Sequence, residues 1–413
     1  MMKRNLATVL VLFVLTSSLA AAENWPQFRG PDGTGVSANS DPVVKWDGTE
    51  RIKWELGIRG KGWSSPVIWG DQLWITTAAV DGKKMWAICV NRKTGKKIHD
   101  ILVFENERPR FCHPTNSYAS CTPVIEEGRV YLHFGSYGTA CVDTDSGKIL
   151  WTRRDLPCNH WRAPGSSPIL AGNALVVAYD GYDLQYVVAF DKQSGKTLWK
   201  QDRNIDYGTD NGDRKKAYST ARFIEHGGRK QVVSPSATDT VSYDPQSGKE
   251  LWRVHHGGMN AAPVPQFGHG LVYIVGGSGP LSMVAVRPDG SGDITETHVE
   301  WNLGKSVPNR PSPLLIEDHL FMVNDAGIVT CLEAKTAKTV WQKRIKGEYR
   351  ASPIAAGGRI YFSSMKGEVT VIAAGSEFKL LGESKLGPGF QASPAAVGKS
   401  LYMRSLTSLY CLE

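Results

Sequence analysis

Beyond its first 22 residues the chain has no apolar run approaching the roughly 20 residues needed to span a bilayer, so none of that stretch reads as a membrane span. The one long apolar run, residues 6–15, follows Lys3 and Arg4 and precedes Ala20-Ala21-Ala22. It is too short and wrongly flanked for an anchor and predicts a cleaved secretory signal over 1–22. No cysteine follows that run, which argues against a lipid-anchored form. Charge of either sign is not in large excess: 48 Lys and Arg against 40 Asp and Glu give +8, or +6 once Lys3 and Arg4 are set aside. The basic runs Arg214-Lys215-Lys216 and Lys343-Arg344 are short. Nucleic-acid binding needs basic charge gathered on one surface, so it is not expected. Cysteines number seven, with no adjacent pair and no Cys-x-x-Cys-His for covalent haem.

What is present is a repeated phrase. Asp143 to Trp151 reads Asp-Thr-Asp-Ser-Gly-Lys-Ile-Leu-Trp, and the same pattern returns at Asp191 to Trp199 and Asp244 to Trp252. A degraded copy runs Glu333 to Trp341, and Asn91 to His99 has histidine in the tryptophan place. Such self-similarity is the signature of a solenoid or propeller. A second marker, a small residue before proline, recurs at Ser65, Thr122, Ser167, Ala262, Ser312, Ser352 and Ser393, with Thr220-Ala221 filling the one gap. Eight units result. In the third, apolar strands at 168–170, 174–178, 186–190 and 197–199 are separated by Gly172-Asn173, Asp180-Gly181 and Ser194-Gly195, which are turn signals. Four short strands per repeat predict a propeller blade, so the fold class is all-β with eight four-stranded blades over 23–413. The last unit ends without a tryptophan strand, while residues 51–56 around Trp54 are one without a unit. The ring is therefore expected to close by the N-terminal strand completing blade eight, leaving no open sheet edge.

Eight units carrying Asp-x-x-(Ser/Thr)-Gly-Lys-x-x-Trp resemble the pyrroloquinoline quinone (PQQ)-repeat superfamily of quinoprotein alcohol and polyvinyl alcohol dehydrogenases and the non-enzymatic BamB-like branch. The opening Trp25-Pro26-Gln27-Phe28-Arg29-Gly30-Pro31 resembles that of exported PQQ-repeat proteins of planctomycete-type bacteria. The resemblance implies a periplasmic or secreted propeller. Its enzymatic branch implies PQQ with calcium, a Cys-Cys pair over the quinone and an Asp base. The Cys-Cys pair is absent here, and the repeat aspartates have turns to form. One propeller hosts many activities. The reading that follows is a monomeric binding or scaffold module for a protein partner or an anionic small molecule or saccharide. The alternative is a quinoprotein dehydrogenase with a reduced site. A saccharide-cleaving propeller would need two facing carboxylates, which Asp210 and Asp213 on one loop do not supply.

Aligned on the Gly-Lys turn, Cys89, Cys141, Cys331 and Cys411 occupy the slot that Ala189 fills in unit three, a small buried position where a thiol acts as a small hydrophobe. Cys121 reads as packing. Cys112 and Cys158 lie in corresponding loops, where an oxidising compartment predicts a disulfide. The alternative is that Cys112-His113 and Cys158-Asn159-His160 supply four zinc donors.

Three adjacent connections are longer than the others: His99 to Pro123, Trp151 to Pro168 and Trp199 to Ala221. Long loops in a compact fold carry function, which makes Arg110, His113, His160, Arg162 and Asp210 candidates. Three residues before each marker proline, or before Ala221 where it is missing, stand Trp63, Ser120, Gly165, Tyr218, Asn260, Arg310, Arg350 and Gln391. If the first strands line the central channel, these crowd its mouth. There Trp63, Tyr218, Asn260, Arg310, Arg350 and Gln391 would hold a planar anion, because the guanidinium fork matches a carboxylate.

Overall fold

The computed structural model describes residues 24–279 and 282–413, so the expected signal segment 1–22 lies outside the described residues. The chain is all-β, with eight antiparallel four-stranded blades arranged as a propeller. Blades 1 to 7 cover 67–105, 124–153, 169–202, 222–255, 266–303, 314–344 and 354–385. Blade 8 takes three strands from 395–412, and its outermost strand is Ile52–Gly57. There Ile52 pairs with Leu412 and Trp54 with Cys411, so the two ends of the chain close the ring as expected. Among the described residues no helix is long and apolar enough to cross a membrane.

The repeated phrase builds one joint between neighbouring blades. Its aspartate closes the turn: Asp191 Oδ1 accepts from the amide of Ser194 at 2.8 Å and from its hydroxyl at 2.8 Å. The same bonds, side chain first, hold the Asp191 carboxyl below its ordinary range. Trp252 Nε1 donates to Gln231 Oε1 of its own blade at 2.6 Å, but in the other two full copies the tryptophan reaches the next blade, where Trp151 Nε1 donates to Lys192 O at 3.1 Å and Trp199 Nε1 to Pro245 O at 3.0 Å. Trp54, Trp301 and Trp341 do the same with Arg92, Ala334 and Gly375. His99 places Nε2 3.0 Å from Thr144 O, so the one histidine copy keeps the tryptophan's contact. The turn glycine is required twice over. Gly195 has φ +71, and a Cβ there would sit 2.7 Å from the Trp151 ring.

Register explains two further positions. The small slot lies directly across from the tryptophan: Cys141 faces Trp151, Ala189 faces Trp199, Cys331 faces Trp341 and Cys411 faces Trp54. One residue of the outer strand is then skipped by the ladder, between Ile149 and Trp151 in blade 2 and beside Ala189 in blade 3. Such a bulge turns the extra side chain out of the pairing, which leaves the motif leucines Leu150 and Leu198 exposed.

The small-Pro markers form a second joint nearer the axis. The amide of Ser65 donates to Thr122 Oγ1, that of Thr122 to Ser167 Oγ and that of Ser167 to Thr220 Oγ1. Ser312, Ser352 and Ser393 continue it, and Ser393 returns to Ser65 Oγ at 3.0 Å. Ala262 interrupts the circle. There Ser219 Oγ donates to Pro263 O instead, at 2.7 Å.

The opening segment crosses the channel. Trp25 pairs with Ile68 in blade 1, and Pro26 O accepts from Ile125 N in blade 2. On the far side Arg29 donates to Pro313 O in blade 6 and Pro353 O in blade 7, besides Thr34 O. Val36–Ser37 then adds a parallel strand inside blade 7. Burial, and secondly Arg222, lowers the Arg29 guanidinium to about 9. Three carbonyl acceptors compensate for burying that charge.

Candidate functional site

The eight positions that precede the markers meet in one cavity of about 220 Å³ at the end of the channel. Trp63, Ser120, Gly165, Tyr218, Asn260, Arg310, Arg350 and Gln391 all line it. Beneath them lie marker hydroxyls such as Ser65, Thr122 and Ser352, and Phe28 of the crossing segment reaches the same space. Each inner strand begins at the axis, so residues at one register position form a ring there.

Charge in this cavity comes from three guanidinium groups. Arg162 pairs with Asp213 at 2.7 Å and Arg310 with Asp325 at 2.6 Å. Arg350 makes no ion pair among the described residues, and burial, with Arg310 second, lowers its pKa. Lys216 lies over the Tyr218 ring at 4.4 Å and Lys61 over Trp63 at 5.1 Å. Burial keeps the Tyr218 hydroxyl protonated. Several polar atoms here are buried without a hydrogen-bond partner: Trp63 Nε1, Tyr218 Oη, Asn260 Oδ1, Arg162 Nε, Asp213 Oδ1 and Asp325 Oδ1. Each such atom forgoes about 1–3 kcal/mol; Asp213 and Asp325 stand behind the wall, outside its lining. Asn260 also holds φ +55, a left-handed backbone that is uncommon outside glycine and concentrates at functional sites.

The long-loop candidates divide. Arg162 lines the cavity; Arg110, His113, His160 and Asp210 do not. Arg110 lies in a separate cleft with Arg108 and Arg154, and its guanidinium donates to Cys158 O. Asp210 lines another with Tyr207 and Lys215. His113 is occupied with Thr115 Oγ1 at 2.8 Å. His160 is buried, accepting from Ser136 N at 3.1 Å. The expected Cys112–Cys158 disulfide is not formed, since both are free thiols. Cys158 is packed in the core with Sγ 3.7 Å from His160 Nδ1, and Cys112 Sγ turns to His113 O. Among the described residues no three His, Cys, Asp or Glu side chains gather into a metal-holding group. Sequence reasoning missed Phe28, Ser278 and Asn309 on the cavity wall. No register position marks them: Phe28 comes from outside the repeats, Ser278 from the loop between the second and third strands of blade 5, and Asn309 from a connection of ordinary length.

Residues 237–377 match the family model described as outer membrane protein assembly factor BamB. No curated protein matches the chain significantly. Among solved structures, a europium-containing methanol dehydrogenase superposes with TM-score 0.70 at 11% identity, over 94% of this chain and 98% of that one. BamB from Moraxella catarrhalis gives 0.61 at 12% identity, over 88% and 99%. Quinohemoprotein alcohol dehydrogenase from Comamonas testosteroni gives 0.66 at 11%, over 96% and 81%. By fold, the chain is an eight-bladed propeller similar to these. Identities this low carry the fold and no more.

The cofactor that this fold brings to mind can be tested against the cavity wall. The wall of this propeller offers guanidinium groups, amides, hydroxyls and aromatic faces, but no Asp, Glu, His or Cys side chain. Calcium takes six to eight oxygens, with carboxylates prominent among them. The carboxylates nearest the wall, Asp213 and Asp325, are each engaged by an arginine. The donor set fits an anion and does not fit a calcium-held quinone with a carboxylate base.

Proposed function

We propose that this propeller is an exported binding module whose channel mouth takes an anionic small molecule, or the acidic part of a larger partner. The observation that carries the reading is the wall itself, which sets Arg350, without an ion pair among the described residues, beside amides, hydroxyls and aromatic faces and provides no carboxylate, imidazole or thiol. Such a wall is built to recognise an anion, with the Tyr218 hydroxyl as its one ordinary proton-transfer group. The crossing segment, with Phe28 on the cavity side and Arg29 fastened to blades 6 and 7, supports a blind pocket over an open pore.

Calorimetric titration of the purified protein with malate, glutamate and galacturonate tests this. At least one should bind, and Arg350→Ala should remove that binding without lowering the melting temperature. Binding by none of them, or loss of folding in the variant, would overturn the reading. In parallel, PQQ with calcium should yield no alcohol-dependent dye reduction. Turnover there would restore the dehydrogenase alternative.

A further inference from the structure

Beside the cavity stands a ridge of exposed aromatic rings that the binding reading does not use. Phe111 is 54% exposed, Trp161 46% and Tyr182 39%. Their centroids follow one another at 5.6 Å from Phe111 to Trp161 and 5.7 Å from Trp161 to Tyr182. Large apolar side chains gathered on a surface mark an interaction site, whereas scattered ones need no explanation.

The ridge is held in place. Asn159 accepts from Trp161 N through Oδ1 at 3.0 Å and from Tyr182 N through its carbonyl at 2.6 Å. Trp161 stands at φ +53, an outlier for so bulky a residue. Gly212 leaves room for Tyr182, since a Cβ there would lie 2.4 Å from that ring. The ridge also runs into the cavity along its own loops. Phe111 and His113 precede the cavity residues Thr115 and Asn116, and Trp161 precedes Arg162. Asn116 Nδ2 ties the two loops together by donating to Arg162 O at 2.9 Å.

The chemistry of the cavity narrows the occupant. An anion made only of acceptor oxygens, such as phosphate or a simple dicarboxylate, would satisfy the arginines. It would leave the carbonyl oxygens of the wall amides Asn260 and Gln391 and the wall hydroxyls without donors. A molecule carrying hydroxyls beside its carboxylate supplies donors for these as well as acceptors for the guanidinium and amide N–H groups of the wall. A chain of such units would also present C–H faces to the aromatic ridge, burying apolar surface outside the cavity. Resting on the anion-binding reading above, we propose that the site takes an acidic saccharide, with one uronate unit in the cavity and the following units along Phe111, Trp161 and Tyr182.

The test uses galacturonate, tetragalacturonate and fully methyl-esterified tetragalacturonate with the whole protein and the variants Trp161→Ala and Arg350→Ala. Tetragalacturonate should bind the parent protein about tenfold or more tighter than the monomer, equivalent to ~1.4 kcal/mol or more. Trp161→Ala should erase that advantage and leave monomer binding unchanged, while Arg350→Ala should remove both. The esterified chain should bind far more weakly than the acid. If Trp161→Ala keeps the full tetramer affinity, the ridge proposal fails although the cavity reading stands. If neither acid binds while malate or glutamate does, the saccharide class is wrong. An aspartate-glutamate tetrapeptide that outbinds tetragalacturonate would assign the ridge to a protein partner and overturn the proposal.

Discussion

Single side chains in this protein do one of two jobs, joining blades or facing the channel, and the repeat made only the first legible. Asp191, Gly195 and Trp199 could be read as turn and packing residues because their spacing recurs. The marker hydroxyls were visible only as register points. Their role as acceptors for the neighbouring blade depends on the curvature of the ring, which no local pattern encodes. The Cys112–Cys158 pairing failed for a related reason: corresponding positions in adjacent loops need not face each other. His133, His160 and His256 are a further case, all buried with imidazole pKa values lowered chiefly by burial. For His133 the folded value falls from 6.5 to about 3. Because the folded value is depressed, the unfolded chain takes up the proton first as pH falls. Stability is therefore full above about pH 6.5 and declines below it. His133 alone should account for about 2 kcal/mol lost at pH 5, at ~1.4 kcal/mol per pH unit. Denaturation midpoints measured between pH 7.5 and 5 should fall, and His133→Phe should flatten part of that slope.

Among elements, the outermost strand of blade 8 bears the most consequence. Its existence could be read from an orphan tryptophan strand at one end and a missing one at the other. The segment before it could not, because Trp25 to Ser37 repeats nothing and its burial depends on a channel that exists only once the ring has formed. Trp54 packs against Tyr402 at 6.2 Å and over Gly95, and donates to Arg92 O at 2.9 Å. Trp54→Ala should destabilise the fold by about 3–5 kcal/mol. Trp54→Phe, which keeps most of the packing and loses the N–H, should cost about 1 kcal/mol. Equal losses in chemical denaturation would show that packing at this joint matters less than its hydrogen bond.

For the molecule as a whole, eight blades and their closure followed from counting, whereas the direction in which function points did not. The cavity assembles one residue from each blade, so its character becomes visible only when eight distant positions are brought side by side. The crossing segment is the other whole-molecule feature. Arg29→Met should leave the carbonyls of Thr34, Pro313 and Pro353 without their donor, at about 1–3 kcal/mol for each that stays dry, and should lower the denaturation midpoint. An unchanged midpoint would mean that water replaces the guanidinium. Repeat arrays in general can nucleate anywhere and grow blade by blade. This chain adds a condition, because Ile52 must find Leu412 and Arg29 must find Pro353 before the circle is complete. Such contacts between distant parts of the sequence carry the highest loop-closure entropy and form late. Residues 52–57 are made early and stay unpaired until the final strand emerges. A truncated product of even seven good blades would thus be left with a frayed edge and an unthreaded hub, the kind of unfinished chain that quality control can recognise and remove.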